Sequence, residues 1–185
     1  MSVLITSSKT PLMMETLPAV KLVHCYGNGR DGHVYAYLRM YVLNGAFCFN
    51  LTQFLQCPAA DTRMALCLGM ADSEAYISVV CPADGNAAVQ QYNAADESTG
   101  TLGEVPLRHF AGTDEQGWYW SVEGTLTAEA CRAAFGRVPD AGSVWAGNVY
   151  AYNETESAFA AAFATPAGSR IPTKNGFSVF TVVPY

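Results

Sequence analysis

VYAYLRMYVLNGAFCFNLTQF, residues 34–54, sets the architecture. The even positions Val34, Ala36, Leu38, Met40 and Val42 are apolar, while the odd positions Tyr35, Tyr37, Arg39 and Tyr41 are aromatic or charged. Strict period-two alternation is the pattern of a strand with one buried face. Asn44-Gly45 follows, and an Asn-Gly pair between two such runs predicts a type I′ hairpin, whose central residues both need positive φ. The pattern therefore predicts strands over 34–42 and 47–54. A two-residue turn also sets the register. Val42:Phe47, Met40:Phe49 and Leu38:Leu51 then share a core face. Tyr41:Cys48, Arg39:Asn50, Tyr37:Thr52 and Tyr35:Phe54 share the other, a polar-aromatic platform.

Outward from this hairpin, further short strand-like runs follow at Met64–Met70, Ala75–Cys81, Ala87–Tyr92, Glu104–Phe110, Trp118–Glu123, Ser143–Tyr152 and Phe177–Val183. Gly, Pro, Asn and Asp clusters separate them, and Asn93–Gly103 and Thr165–Asn175 read as loops. Thr127 can cap one helix over Ala128–Phe135, with Gly136 as its stop. Ser157–Phe163 is undecided between a helical turn and a strand. This order predicts an all-β fold, an antiparallel β-sandwich of immunoglobulin-like or jelly-roll-like type with one short helix. No linker divides the chain, so residues 1–185 are expected to form a single domain.

The 185 residues include 10 basic and 16 acidic ones, giving a net charge of −6; 50% are hydrophobic and 14% charged. Low charge with high hydrophobicity argues against disorder. The acidic balance argues against a nucleic-acid partner, because neutralising phosphates needs a basic surface. The longest apolar run, Ala158–Ala164, is far shorter than the ~20 residues of a spanning helix, so no membrane partner is expected. No basic-then-apolar leader is visible at the N-terminus. The expectation is a cytoplasmic location, or an extracellular one if a native signal precedes the sequence. Cysteines 25, 48, 57, 67, 81 and 131 form no C-x-x-C pair. In a reducing compartment most are expected to be free thiols, with Cys48, Cys67 and Cys81 inside apolar runs.

The C-terminal third carries Trp120-x-x-Glu123-x-x-Leu126, then Asp140-Ala141-Gly142-x-x-Trp145, Gly147-Asn148-Val149-Tyr150, Pro166 and Gly176-Phe177. This succession resembles the family 9 carbohydrate-binding modules and their DOMON-like relatives, best over 118–150 and more loosely over 60–185. Thr127 stands where the family motif has a proline, and the closing glycine precedes Phe177. The resemblance implies a β-sandwich that binds glycans without catalysis. It also implies a sugar clamp of two tryptophans, one in the first half and one near the C-terminus. That clamp does not transfer, because Trp118, Trp120 and Trp145 are the chain's tryptophans. The motif tryptophans Trp120 and Trp145 are structural by the same resemblance.

The candidate carbohydrate-binding residues are Tyr35, Tyr37, Arg39, Tyr41, Asn50 and Trp118. A sugar offers an apolar C–H face to a ring and equatorial hydroxyls to Arg or Asn, and tyrosine supplies both functions with little rotamer entropy to lose. The expected partner is a mono- or oligosaccharide. The competing reading of this face is a solvated or loop-covered surface, since tyrosine favours strands in any case. Trp118 shares a strand face with Trp120 and Val122, so core packing competes with ligand stacking there. His24, His33 and His109 have no metal-ligand spacing, and His33 lies at the platform's edge. DOMON-like relatives include haem binders using Met and His; Met40, Met64 and Met70 would be candidates, but they alternate on core faces. No cofactor, metal or catalytic constellation is expected. The alternative function is a protein-interaction or structural sandwich, and after it a haem-binding domain.

Overall fold

Asn44 and Gly45 adopt φ of 50° and 81°, so the central turn has both positive values that a type I′ hairpin demands. The computed structural model describes residues 2–27, 35–155, 158–166 and 168–185. Val34 and His33 lie outside these.

The strands, in chain order, begin with β1 (Ser2–Ser8), β2 (Val20–Lys21), β3 (His24–Tyr26), β4 (Ala36–Leu43) and β5 (Ala46–Gln53). Then come β6 (Thr62–Met70), β7 (Tyr76–Pro82), β8 (Ala87–Tyr92), β9 (Ser98–Val105) and β10 (Arg108–Asp114). The last are β11 (Gly117–Leu126), β12 (Val144–Asn153), β13 (Phe159–Ala161) and β14 (Ser178–Pro184). The β4–β5 register runs Val42 opposite Phe47 and Leu38 opposite Leu51, as the turn predicts. Helix α1 (Ala128–Phe135) starts where the Thr127 side chain accepts from the Ala130 N–H and stops at left-handed Gly136.

Hydrogen bonding runs β10-β11-β5-β4-β1-β14-β12-β6-β7-β8-β9. Two leaves fold face to face along this path. Leu38, Phe49 and Val122 of the first join Leu66, Val79 and Trp145 of the second in one hydrophobic cluster. The all-β sandwich is thus present, with one feature the alternation does not contain. Strand β1 lies parallel to both of its neighbours, pairing β14 through Ser2–Ser7 and β4 through Thr6–Ser8, and so stitches the leaves together.

Two sequence expectations are corrected. Residues 98–103, read as loop, belong to strand β9; seven of its eight residues are exposed, and it pairs β8 with register shifts. An edge strand wet on both faces has no apolar alternation to betray it. The run Glu104–Phe110 is also not one strand. Pro106 has no N–H for a ladder, and the chain passes from β9 to β10 there.

The outer face of the second leaf is roofed. Asn148 Nδ2 donates to the carbonyls of Gly176 (2.8 Å) and Phe163 (3.2 Å), and its Oδ1 accepts from the N–H of Phe163 (3.1 Å). Tyr76 donates to the Pro172 carbonyl and to Asp96, which also accepts from the Lys174 N–H. The Gly-Asn-Val-Tyr element is therefore a staple for this cover. Among the described residues, the outer face of the first leaf has no such roof over its middle.

Cys48, Cys67, Cys81 and Cys131 are buried, and Cys25 and Cys57 are exposed; all six are free thiols. Burial pushes the Cys67 and Cys131 thiols up to about 12, so they remain protonated and shielded at pH 8. A chromogenic disulfide reagent at that pH is expected to titrate two thiols in the native protein and six after unfolding in urea. A native count of four or more would contradict the packing described.

Candidate functional site

The unroofed face is a lattice of side chains set by strand pairing. Tyr37 stands opposite Thr52, and Thr52 opposite Ser121 of β11. One row along, Arg39 stands opposite Asn50 and Asn50 opposite Glu123. In the other direction come Tyr35, Phe54 and Tyr119, their ring centroids 5.0 and 5.9 Å apart in succession. Strand β10 extends the lattice by Phe110 beside Ser121, and β2 by Lys21 beside Tyr37. Rows two residues apart along a strand are separated by roughly 6.7 Å, so three rows span about 13 Å.

A cavity of about 500 Å³ opens over this lattice. That volume lies within the roughly 300–1,000 Å³ of small-molecule sites. Its floor is polar and pre-arranged. Asn50 Nδ2 donates to Ser121 Oγ (2.8 Å), Thr52 Oγ1 donates to Asn50 Oδ1 (3.0 Å), and Ser121 Oγ donates to the Leu51 carbonyl (3.1 Å). All three side chains are buried, yet Asn50 keeps one amide hydrogen beyond the bond it makes here. The walls are aromatic. Tyr35, Tyr37 and Phe54 form one ring cluster, and the Arg39 guanidinium lies 4.7 Å from the Tyr37 ring centroid. Such a pocket offers flat apolar rings next to fixed donors and acceptors. Among the described residues no cluster of three His, Cys, Asp or Glu side chains could hold a metal.

Of the residues singled out from sequence, Tyr35, Tyr37, Arg39 and Asn50 line this cavity together. Tyr41 does not. The short turn Met14–Thr16 folds over that end of the face, and Tyr41 packs with Leu17 and Cys48 in a small hydrophobic cluster. It borders instead an adjoining cleft of about 510 Å³, which shares Met14, Glu15 and Glu123 with the first. Trp118 does not join the platform either. On β11 the pleat sends Tyr119, Ser121 and Glu123 to the cavity and Trp118, Trp120 and Val122 to the opposite side. Trp118 ends up 54% exposed near the strand's start, while Trp120 and Trp145 are buried. Met40, Met64 and Met70 are core residues. His109 is bonded to the Gly85 carbonyl.

Sequence reading missed Tyr119, Ser121, Glu123 and Phe110. The alternation of Tyr119, Ser121 and Glu123 lies in 117–126 and Phe110 in the strand before it, but nothing in either says that β11 is the neighbour of β5.

No known protein-family profile matches the chain, and no curated protein sequence matches it. Solved structures do. A protein from Bacteroides uniformis ATCC 8492, provisionally assigned as carbohydrate-binding, superposes with a TM-score of 0.67 at 12% identity, over 98% of each chain. A family 9 carbohydrate-binding module from Caldicellulosiruptor kristjanssonii in complex with glucose gives 0.61 at 11% identity, covering 100% of this chain and 97% of the module. The same organism's module with cellotriose gives 0.59 at 9% identity, over 100% and 95%. The fold is thus that of family 9 carbohydrate-binding modules.

Proposed function

We propose that residues 1–185 form one non-catalytic carbohydrate-binding domain, whose sugar lies in the cavity over Tyr35, Tyr37, Arg39 and Asn50. The observation that carries this reading is the lattice itself, with a cluster of tilted rings on one side and a buried, hydrogen-bonded Asn50–Thr52–Ser121 floor on the other. A sugar ring laid on Tyr37 and Phe54 would turn its equatorial hydroxyls toward Asn50, Arg39 and Glu123. The floor is held by its own hydrogen bonds, so little ordering is left to oppose binding. Similarity in fold to modules solved with glucose and cellotriose supports the same reading.

The test is calorimetric titration with a panel of mono- and oligosaccharides, on the native chain and on Tyr37→Ala. Losing a stacking ring at a hot spot removes on the order of 1–3 kcal/mol, or about tenfold or more in affinity. Tyr37 is half-buried, so its loss should destabilise the fold less than Leu38→Ala, a core deletion costing ~2–5 kcal/mol. Full-strength sugar binding by a folded Tyr37→Ala variant would rule this cavity out.

One observation favours a second reading, a protein-interaction sandwich without a sugar ligand. Leu4 and Val144 both pair with Thr181 and are exposed, with Val179 close by on β14. An apolar strip of this kind is a feature of contact surfaces.

A further inference from the structure

We infer that the sugar taken by this cavity carries a carboxylate, a hexuronic acid unit held by Arg39 and Lys21. The inference rests on the carbohydrate reading above and specifies its ligand. Two cations stand on one side of the cavity, each leaning on a tyrosine. The Arg39 guanidinium lies over Tyr37, and Lys21 Nζ lies 5.9 Å from the Tyr35 ring centroid. Neither forms an ion pair among the described residues, where the pairs are Arg63–Glu154 and Arg108–Glu123.

Arg39 is also under-bonded. Its Nε is buried with no hydrogen-bond partner, and its Nη1 makes a long 3.4 Å bond to the Tyr37 hydroxyl. A buried guanidinium N–H without an acceptor costs free energy, and the group's planar fork matches a carboxylate in bidentate geometry.

The acidic groups around the cavity do not answer this charge. Glu123, across Asn50 from Arg39, is paired with Arg108 at 3.6 Å. Asp114 and Glu15 are exposed, and Asp114 is engaged by the Gln116 N–H. The chain as a whole carries a charge of −6, so two unpaired cations beside aromatic rings are not part of a basic surface. A hexuronate projects its carboxylate from the ring edge. With its C–H face on Tyr37 and Phe54, it would direct that group to Arg39 while its hydroxyls meet Asn50. A neutral hexose in the same pose would leave the Arg39 guanidinium without a counter-charge.

Calorimetric titration of the full chain at low salt tests this, comparing D-glucuronate with D-glucose and D-galacturonate with D-galactose. A uronate is expected to bind about tenfold or more tighter than its neutral counterpart, because charge-assisted bonds are roughly twice as strong as neutral ones. The preference should shrink as added salt screens the charges. Arg39→Gln should bring the uronate-to-neutral ratio close to one. Lys21→Gln, at an exposed position that leaves folding intact, should lower it in the same direction. Neutral sugars binding as tightly as uronates, or a ratio unchanged in both variants, would overturn the uronate assignment and leave the carbohydrate reading standing. Acetate matching the uronates would also overturn it, by showing an anion site without sugar recognition. No binding by any sugar of either kind would defeat the carbohydrate reading itself.

Discussion

Asn148→Ala is expected to lower the unfolding free energy by about 3 kcal/mol or more, as read from urea denaturation. The side chain is fully buried and serves four backbone groups: the N–H of Val149, the N–H and carbonyl of Phe163, and the carbonyl of Gly176. Truncation removes the Asn148 partner of the Phe163 N–H and of the Gly176 carbonyl. Each buried orphan costs roughly 1–3 kcal/mol. Against a total stability of ~5–15 kcal/mol for an ordinary domain, that is a large fraction. The effect should also be local in origin, because Asn148 joins the second leaf to the chain that roofs it. Hydrogen exchange at Phe163 and Gly176 should therefore accelerate before global unfolding. Val144→Thr, an exposed change on the same strand, should stay within about 0.5 kcal/mol. A loss below 1 kcal/mol for Asn148→Ala would mean that the roof is held by other contacts.

Stability is also expected to fall steeply between about pH 9 and pH 12. The side chains of Cys67, Cys81 and Cys131 are all at 0% exposure. Burial pushes Cys67 and Cys131 from 9.0 to about 12, and raises Cys81 for the same reason. Below pH 9 both folded and unfolded chains hold these protons, and the contribution is complete. Above it the unfolded chain releases them while the folded chain retains them. The folded state then binds more protons, and stability declines with rising pH. Each group contributes a slope of about 1.4 kcal/mol per pH unit across this window, so three act together with several times that. Burial raises the phenols of Tyr76, Tyr150 and Tyr152 as well, which steepens the loss above pH 10. Urea melts at pH 7.5, 9 and 10.5 would measure this, with Cys81→Ala expected to reduce the slope by one group's share. Equal stability at pH 8 and 10.5 would contradict it.

Local signals settled the hairpin, the helix and the core. Alternation over 36–42 and the Asn44-Gly45 turn determine both the pairing of β4 with β5 and the face on which Tyr35, Tyr37, Arg39 and Asn50 stand, because a one-residue slip would expose Leu38 and Phe49. Thr127 and Gly136 likewise determine the ends of α1 through cap chemistry confined to one turn. Other features depended on contacts between distant segments. Strand β9 was illegible because a wet edge carries no hydrophobic period, and β1 because its partners β14 and β4 lie far away in the chain.

The site divides the same way. Half of its lattice is written in the hairpin, but Ser121, Glu123 and Tyr119 enter it only because β11 docks beside β5. The removal of Tyr41 depends on residues 14–16 folding across one end of the face, and that of Trp118 on the pleat of β11 relative to its neighbour. Both leaves offer tyrosine and asparagine on their outer faces. Asn148, Tyr76 and Tyr150 are spent holding the backbone of the covering chain, whereas Tyr37, Arg39 and Asn50 are left facing a cavity. A side chain's residue type and strand face are local properties, readable from period and turn. Whether a roof lies over that face depends on long-range packing, which tertiary structure alone decides.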